Sequence, residues 1–425
     1  MKKLKDSGVE WIGEIPADWK VIKNKYLLSL LYSGGTPSVS NNDFYCFEGG
    51  TPFVSISDMS TVDYVLSTQK RLTDSGLKDK NLKVLPIGTI LYSIYATVGA
   101  VSELKIAAAI SQAMLALQVN SKVDKSFYKY NLAAMKDYIF SNANGNTQFN
   151  LNAEKVKNFY FVLPNVATQH HIANYLDRKC AEIDAIIAKQ QQIIEKLKEY
   201  KLSVITEAVT KGLDPNVPMK DSGVKWIVKI PEHWNILKLQ AHTRMLTPMR
   251  DRPEKLDGDI PWVRIEDYDG KYISTSKEGL GVSLETVNEM NLKIYPVGSI
   301  LCTSSCDLGK CAIVTRELVS NQRFINIIPD LDTNSDYLYY LMLSNAKRLN
   351  HLSTGTIQAN LSRKAFEHLM VQFPPFAEQK EIAEYLDKKC ETVELSIRKK
   401  QELIDRLNLY KKSLIYETVT GKKEI

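Results

Sequence analysis

The most constraining feature of this sequence is that its second half repeats its first. The pattern Asp-Ser-Gly-Val-x-Trp-Ile-x-x-Ile-Pro-x-x-Trp occupies residues 6–19 and recurs at residues 221–234. Residues 169–210 align with residues 379–420 without a gap and are identical at nearly half of their positions. This period is far longer than the roughly 20–50 residues of solenoid repeats, so the sequence indicates a duplicated pair of domains.

The two copies match unevenly along their length. Residues 22–85 and 237–295 are mostly unlike, whereas the segments near the end of each copy are closely alike. One module has therefore been kept and another has been allowed to differ. This pattern is typical of a twofold frame that carries two different recognition modules.

The kept segments have a helical period. Apolar residues recur at intervals of three and four without an interrupting proline or glycine, as in a coiled-coil seam. An ordinary core helix also carries an apolar stripe, but a narrow stripe present twice favours two long helices that pack on each other. A proline-containing stretch precedes each helix, and Gly212 or Gly421 follows it. The predicted seam residues are Ile172, Leu176, Ile183, Ile187, Ile194 and Leu197, and then Ile382, Leu386, Val393, Ile397, Ile404 and Leu407.

The sequence therefore predicts an α+β protein. Two globular α/β-type domains are separated by two long antiparallel coiled-coil spacer helices, in a pseudo-twofold internal duplication. Because the two chain ends together resemble the central junction, we expect the termini to lie close together. The expected segments are an N-terminal segment (1–19), a first globular domain (20–164), a first helix (165–212), a linker (213–234), a second globular domain (235–374) and a second helix with its tail (375–425).

Composition excludes several classes of protein. With 44% hydrophobic and 24% charged residues, the chain has the balance of a folded globular protein. No apolar run is long enough for a membrane span and the N-terminus lacks a secretion signal, so we expect a cytoplasmic protein. The net charge of +6 permits a polyanionic partner without requiring one. Cys302, Cys306 and Cys311 lack a Cys-x-x-Cys pair or a nearby histidine, so we expect no metal site.

Motifs typical of catalysis are missing. The sequence has no Gly-x-x-x-x-Gly-Lys-Ser/Thr loop for nucleotide phosphates. Residues 279–281 form an isolated Gly-Leu-Gly, which is typical of a turn. The Phe-Pro-Pro-Phe stretch at residues 373–376 lacks the asparagine of adenine methyltransferases and suits the entry to a helix. We therefore expect a chain without catalytic residues, and without a metal or cofactor of its own.

Polar, aromatic and basic residues in the variable domains fit contacts with DNA. Hydroxyl and amide groups can bind phosphates or base edges, while arginine and lysine favour guanine. Each residue taken alone also fits a solvated surface, so the prediction depends on the whole set. The candidates are Ser38, Tyr92, Tyr95, Thr97, Asn146, Thr147 and Gln148 in the first domain, and Arg250, Arg252, Arg264, Thr303, Ser304, Lys310, Arg323, Thr356 and Gln358 in the second.

Together these motifs resemble the specificity subunit of type I restriction–modification systems. The resemblance covers essentially the whole chain, although Thr247-Pro248 stands in the second copy where a Gly-Gly-Thr-Pro loop is expected. It is carried by the motif at residues 6–16, the Gly-Gly-Thr-Pro-Ser loop at 34–38, the stretch at 52–58, the paired Gly-x-x-Gln elements, and residues 169–177 leading into the first helix.

The resemblance implies two target recognition domains on double-stranded DNA, each reading half of a bipartite asymmetric site. It also implies helices that set the spacing and dock two modification (methyltransferase) subunits, with two restriction (ATPase and nuclease) subunits in the full complex. S-adenosylmethionine, ATP and Mg²⁺ would bind only to those partners. Two alternatives stay open from the sequence: a methyltransferase or nuclease in its own right, and a coiled-coil scaffold that binds protein.

Overall fold

The computed structural model describes residues 3–141, 151–248, 251–305, 309–352 and 361–425. The chain forms two compact units. Unit 1 comprises Met1–Gln190 and Glu402–Ile425, and unit 2 comprises Gln191–Gln401. Each unit therefore contains one globular domain and parts of both long helices.

Unit 1 is built mainly from short strands. In chain order they are β1 (Leu4–Asp6), β2 (Glu14–Pro16), β3 (Lys20–Lys23), β4 (Leu28–Ser33), β5 (Tyr45–Cys46), β6 (Thr51–Val54), β7 (Tyr64–Val65), β8 (Lys70–Leu72), β9 (Ile90–Ser93), β10 (Val101–Leu104), β11 (Ala109–Ile110), β12 (Met114–Val119) and β13 (Tyr160–Leu163). The helices are α1 (Ile56–Met59), α2 (Asp74–Asp79), α3 (Lys125–Ala134), α4 (Lys136–Ser141), α5 (Ala153–Lys157) and the long α6 (Val166–Lys211), which continues into unit 2.

Two sheets form the centre of unit 1. Among the described residues, one has the strand order β4-β12-β9-β10-β7 and the other β11-β6-β8-β5. Alternate residues of β9 enter different cores: Ile90 and Tyr92 pack towards the helices, and Leu91 packs towards the second sheet. The antiparallel pair β3 and β13 brings the two ends of the domain together, with Lys20 opposite Leu163. The globular domain thus begins and ends at neighbouring positions in the fold.

Unit 2 repeats this plan. Its strands are β14 (Met219–Asp221), β15 (Lys229–Pro231), β16 (Asn235–Lys238), β17 (Thr243–Leu246), β18 (Ile260–Val263), β19 (Tyr272–Ile273), β20 (Gly281–Val282), β21 (Ile300–Thr303), β22 (Cys311–Val314), β23 (Val319–Ser320), β24 (Phe324–Pro329) and β25 (Met370–Phe373). Its helices are α7 (Leu284–Glu289), α8 (Ser335–Ser344), α9 (Ala346–Leu352), α10 (Arg363–Glu367) and the long α11 (Phe376–Val419), which continues into unit 1.

The larger sheets of the two units correspond strand by strand, whereas the smaller sheet has four strands in unit 1 and three in unit 2 among the described residues. Within the described ranges, the larger sheet has the order β17-β24-β21-β22-β19 and the smaller one β20-β18-β23. The pair β16 and β25 closes the domain as β3 and β13 do in unit 1. The duplication read from the sequence is therefore present in the topology, which confirms the predicted fold class.

The long helices begin and end where their punctuation predicts. The N–H of Gly212 donates to the carbonyl of Ala208 at 3.0 Å, and Gly212 has φ +75°, a left-handed conformation that favours glycine at a helix end. In unit 2 the helices run antiparallel, because Lys201 pairs with Glu394 at 2.5 Å while Gly212 lies against Glu378. None of the helices within the described ranges is long and apolar enough to cross a membrane.

The predicted seam positions are all buried or partly buried. In unit 1 the early seam residues Ile172, Leu176 and Ile183 share a core with Leu414 and Val419 near the end of α11. In unit 2 the early part of α11 shares a core in the same way with the end of α6. The apolar stripe thus extends beyond Leu197 and Leu407, into turns that the sequence reading did not include.

The repeated motif forms a small hairpin in each unit. In unit 1 the N–H of Gly8 donates to Asp6 Oδ1 at 2.9 Å, and in unit 2 the N–H of Gly223 donates to Asp221 Oδ1 at 2.8 Å. The first hairpin packs against the end of α11, since a Cβ on Gly421 would lie 2.6 Å from the ring of Pro16. The N-terminal and C-terminal segments therefore meet within unit 1, as the sequence predicts.

Candidate nucleic-acid interface

In unit 2, four of the predicted residues lie at the same end of the larger sheet. The N–H of Thr303, at the end of β21, donates to the carbonyl of Lys310, just before β22, at 2.9 Å. The N–H of Ser304 donates to the carbonyl of Arg323 at 2.8 Å, and the N–H of Leu361 donates to the carbonyl of Ser304 at 2.8 Å. The backbone thus joins three separate segments into one cluster, on which Lys310 and Arg323 are exposed.

A fifth residue reaches this cluster from the smaller sheet. Because β18 and β23 run parallel, the residues that follow them, Arg264 and Asn321, lie at the same edge. The N–H of Asn321 donates to the carbonyl of Val263 at 3.2 Å, and Asn321 Oδ1 accepts from the N–H of Arg323 at 3.1 Å. The guanidinium of Arg264 pairs with Glu278 at 2.8 Å, and this hydrogen bond raises the pKa of Arg264.

Unit 1 has the matching cluster with different side chains. The N–H of Ser93 donates to the carbonyl of Ala100 at 2.9 Å, and the N–H of Leu151 donates to the carbonyl of Ile94 at 3.3 Å. Tyr95 is 40% exposed and Thr97 is exposed on this loop. Where unit 2 exposes the two cations Lys310 and Arg323, unit 1 therefore exposes an aromatic ring and a hydroxyl group.

This loop contains a strained residue. Ala96 has φ +59°, in the left-handed region that costs an alanine free energy. Ser93 holds the turn closed, because its Oγ donates to the carbonyl of Thr97 and accepts from the N–H of Ala100. Strain of this kind is often found at binding sites, where the surrounding structure maintains it.

The Gly-Gly-Thr-Pro loop lies at the second sheet of unit 1. A Cβ on Gly34 would lie 2.2 Å from the carbonyl oxygen of Ile110, so only glycine fits this approach to β11. The N–H of Gly35 donates to the same carbonyl at 3.2 Å. Ser38 follows on the exposed part of the loop. In unit 2 β17 instead runs into Thr247 and Pro248, so the two units differ here.

Three of the predicted contact residues are buried in this fold. Tyr92 and Thr303 are fully buried, and Ser304 is 8% exposed. Tyr92 and Thr303 belong to β9 and β21, which are inner strands of sheets covered on both faces, and Ser304 directly follows β21. Burial raises the pKa of Tyr92 well above its usual range. These three residues support the loops rather than face a ligand.

The remaining candidates differ in what the structure shows of them. Arg252 is exposed and lies 5.7 Å from the ring centre of Trp262. The other candidates lie outside the described residues: Asn146, Thr147, Gln148, Arg250, Thr356 and Gln358.

One further residue was missed by the sequence reading. Arg348 on α9 stacks on Trp226 of the repeated motif, and its Nη1 has no hydrogen-bond partner in the part of the chain that the structure describes. Burial lowers the pKa of Arg348 to about 10. In unit 1, Tyr138 packs on Trp11 at 6.5 Å between ring centres. The sequence did contain a signal for this contact, because a tryptophan that recurs in both copies of the motif is expected to pack on a partner side chain in each copy.

Two groups of side chains contain potential metal ligands, but we assign a metal site to neither. His242 Nδ1 lies 2.9 Å from Asp330 Oδ2, and Asp332 is close by, but this exposed group is explained by the turn before α8. Cys302 and Cys311 face each other on β21 and β22, and burial raises the pKa of the Cys302 thiol, which favours its protonated form. The absence of a metal stays a prediction.

Comparison with known proteins follows the same division of the chain. The family model described as the type I restriction modification DNA specificity domain matches residues 16–199 and 241–404. These two matches together cover most of the chain and fall once in each copy of the repeat.

Individual relatives agree with the family match. The type I restriction enzyme MjaIX specificity subunit of Methanocaldococcus jannaschii is 31% identical over 189 residues, which is 43% of this chain and 44% of that relative. That alignment spans less than half of the relative's length. The putative type I restriction enzyme MjaX specificity subunit of the same organism is 23% identical over 434 residues, covering 97% of this chain and 95% of that relative.

A solved structure shares the fold. It belongs to work on complex assembly and conformational transition of the type I R-M system, and it covers 96% of this chain and 99% of its own with a TM-score of 0.71 at 13% identity. At this identity the likeness concerns the fold alone. The family match over both copies carries the conclusion: the chain belongs to the type I restriction–modification DNA specificity family.

Proposed function

We propose that this chain is the DNA specificity subunit of a type I restriction–modification complex, in which each unit reads one half of a bipartite asymmetric DNA site. Because the protein would act on cellular DNA, we propose that it is located in the cytoplasm. The chain itself would be non-catalytic, and the chemistry would belong to partner subunits.

One observation carries this proposal. The same scaffold presents a loop cluster at the same sheet edge in both units, but with different side chains. Unit 1 offers Tyr95 and Thr97, whereas unit 2 offers Lys310 and Arg323. Arginine and lysine are suited to guanine and phosphate, and hydroxyl groups are suited to several bases, so the two clusters would prefer different sequences.

The long helices supply a reason to expect partner subunits. Several of their apolar side chains are exposed although the helices are otherwise polar, and Tyr200 and Tyr410 occupy equivalent positions with 52% exposure each. Aromatic residues are enriched in protein interfaces. We propose that these faces dock two modification subunits, with two restriction subunits joining the full complex. The equivalence of the two positions supports two copies of the same partner.

Cofactors belong to those partners in this proposal. S-adenosylmethionine would bind the modification subunits, and ATP with Mg²⁺ would bind the restriction subunits. Purified chain alone should transfer no methyl group from radiolabelled S-adenosylmethionine to DNA, and transfer by the rigorously purified chain would contradict the non-catalytic assignment.

An exchange of one domain tests the function directly. Residues 20–164 form a cassette, because β3 and β13 bring its ends together. Replacing this cassette with that of a relative, and expressing the chain with its modification subunit, should change one half of the methylated motif and leave the other half intact. Sequencing of methylated genomic DNA measures the motif. Changes in both halves would contradict independent reading, and an absence of any methylated motif with the native chain would contradict the function.

A further inference from the structure

The two units differ at one equivalent position beside their edge strands. In unit 1 the carbonyl of Asp63, just before β7, accepts from the N–H of Glu103 at 2.9 Å. In unit 2 the carbonyl of Lys271, just before β19, accepts from the N–H of Ile313 at 2.8 Å. Asp63 and Lys271 therefore occupy the same place in the fold but carry opposite charges.

Lys271 joins the recognition sheet of unit 2 to two helices. Its Nζ lies 2.6 Å from Asp336 Oδ1 on α8 and 2.5 Å from Asp387 Oδ1 on α11. The hydroxyl of Tyr340 donates to the same oxygen of Asp387 at 2.6 Å. The side chain of Lys271 is only 15% exposed and also contacts the rings of Tyr272 and Tyr340. The ammonium group is thus largely shielded from water, whereas the carboxylates of Asp336 and Asp387 are 38% and 43% exposed, so screening is reduced mainly at the lysine end of the contact.

The protonation of Lys271 is consistent with this contact. Burial lowers its pKa, but the hydrogen bonds to Asp336 and Asp387 outweigh burial, so the pKa is raised overall. The ammonium group is thus charged at neutral pH and available to both carboxylates.

Unit 1 keeps only half of this arrangement. The hydroxyl of Tyr130 donates to Asp177 on α6 at 2.7 Å, which matches Tyr340 and Asp387. The lysines near this place turn instead to Glu103 on β10, with Lys125 at 2.9 Å and Lys129 at 3.4 Å. Those ion pairs stay within the recognition domain, because α3 and β10 both belong to it.

We infer that Lys271 is a positioning residue that fixes the recognition sheet of unit 2 against α11, so that reading of one DNA half-site depends on it. The inference rests on the proposed function. β19 pairs with β22, and β22 starts directly after Lys310 in the loop cluster. A shift at Lys271 therefore reaches the candidate DNA contacts across a single strand pairing.

Two variants remove the contact from its two sides. Lys271→Met removes the ammonium group, and Asp387→Asn removes the carboxylate charge while keeping an oxygen for Tyr340. The matched control is Asp177→Asn, which makes the same change at a position where no lysine within the described ranges pairs with the helix. Lys271→Arg keeps the charge and should retain most of the native behaviour.

The measurement is methylation in vitro by the chain with its modification subunit, on duplexes with the native motif and with single substitutions in either half-site. We expect Lys271→Met and Asp387→Asn to lower discrimination about 3- to 10-fold in the half-site of unit 2 and to leave the other half-site within about twofold. Asp177→Asn should leave both half-sites within about twofold of the native chain.

The outcomes separate this inference from the proposed function. If the native chain directs a bipartite motif but both variants keep native discrimination, the role of Lys271 is refuted while the function stands. A uniform loss of methylation on all duplexes, with a lowered melting temperature, would also refute it, because a merely structural contact would act that way. Without a motif from the native chain, the proposed function itself fails.

Discussion

The two units share a frame down to individual polar contacts and differ where the recognition domains meet that frame. Gln169 Oε1 accepts from the N–H of Asp124 at 2.8 Å in unit 1, and Gln379 Oε1 accepts from the N–H of Asn334 at 2.9 Å in unit 2. Among the residues that the structure describes, the contact made by Lys271 has no counterpart at Asp63. The duplicated scaffold therefore keeps the contacts at the start of each long helix and varies a contact between the recognition domain and the helix.

The largest expected effect tests whether the helices are a ruler. The seam predicted from the sequence is about 38 Å long, near one turn of DNA. Seven residues inserted after Gln190, with seven more after Gln401, keep the apolar stripe nearly in phase, whereas two residues at each point rotate it by about 200°. We expect the seven-residue variant to methylate a motif with a longer gap and unchanged half-sites, and the two-residue variant to lose methylation.

Methylome sequencing of both variants, beside the native chain, gives the gap directly. An active seven-residue variant with the native gap would mean that the helices do not set the spacing. Equal activity of the two-residue and seven-residue variants would mean that the seam is not needed for the frame.

The next effect concerns the shared glutamines. The side-chain amide of Gln169 donates to the carbonyl of Pro164 at 2.9 Å, and that of Gln379 donates to the carbonyl of Pro374 at 2.9 Å. Both side chains are buried, so Gln→Ala leaves backbone groups without partners and should cost about 2–3 kcal/mol of unfolding free energy. Urea unfolding of Gln169→Ala and Gln379→Ala measures this cost.

Equal costs in the two variants would support a shared frame. A cost confined to one of them would show that the two helix starts are held differently. Gln190→Ala, in the middle of α6, serves as a control for the loss of glutamine from a helix.

The sequence predicted the frame well because repetition and apolar period survive in the residues themselves. The long helices, the duplicated topology and the meeting of the termini all follow from such patterns. The exposure of individual side chains could not be predicted in the same way, because it depends on what covers a strand. Tyr92 follows an apolar run and reads as a loop aromatic, but a second sheet and a set of helices enclose β9 on both faces. Arg348 was missed because its partner, Trp226, is distant in sequence.

A smaller expected effect is that the stabilities of the two units depend differently on pH. Burial raises the pKa of Glu103, but its hydrogen bonds to Lys105 and Lys125 outweigh this and lower it overall. Its stabilisation is therefore present above the pKa of an unfolded glutamate and is lost as the pH falls through the folded value. The pKa of Lys271 is raised, so its stabilisation is present below the pKa of an unfolded lysine and is lost as the pH rises through the folded value.

The ion pairs of Glu103 should therefore stabilise unit 1 less in acid, and those of Lys271 should stabilise unit 2 less in alkali. Glu103→Gln should flatten the acid side of the curve of melting temperature against pH, and Lys271→Met should flatten the alkaline side. The outcome that would contradict this assignment is a change on the same side of the curve in both variants.

The smallest effect concerns the ion pairs between the helices. Lys411 pairs with Asp184 at 2.6 Å in unit 1, and Lys201 pairs with Glu394 at 2.5 Å in unit 2. These are equivalent positions, and the carboxylates are about half exposed, at 48% and 55%. Water and salt screen such pairs, so each should contribute about 0–1 kcal/mol. We expect Lys411→Met and Lys201→Met to change the unfolding free energy equally and by no more than that amount, with the difference shrinking at high salt. A loss several times larger at one pair would show that the frame has diverged too, and that the two units differ in more than what they read.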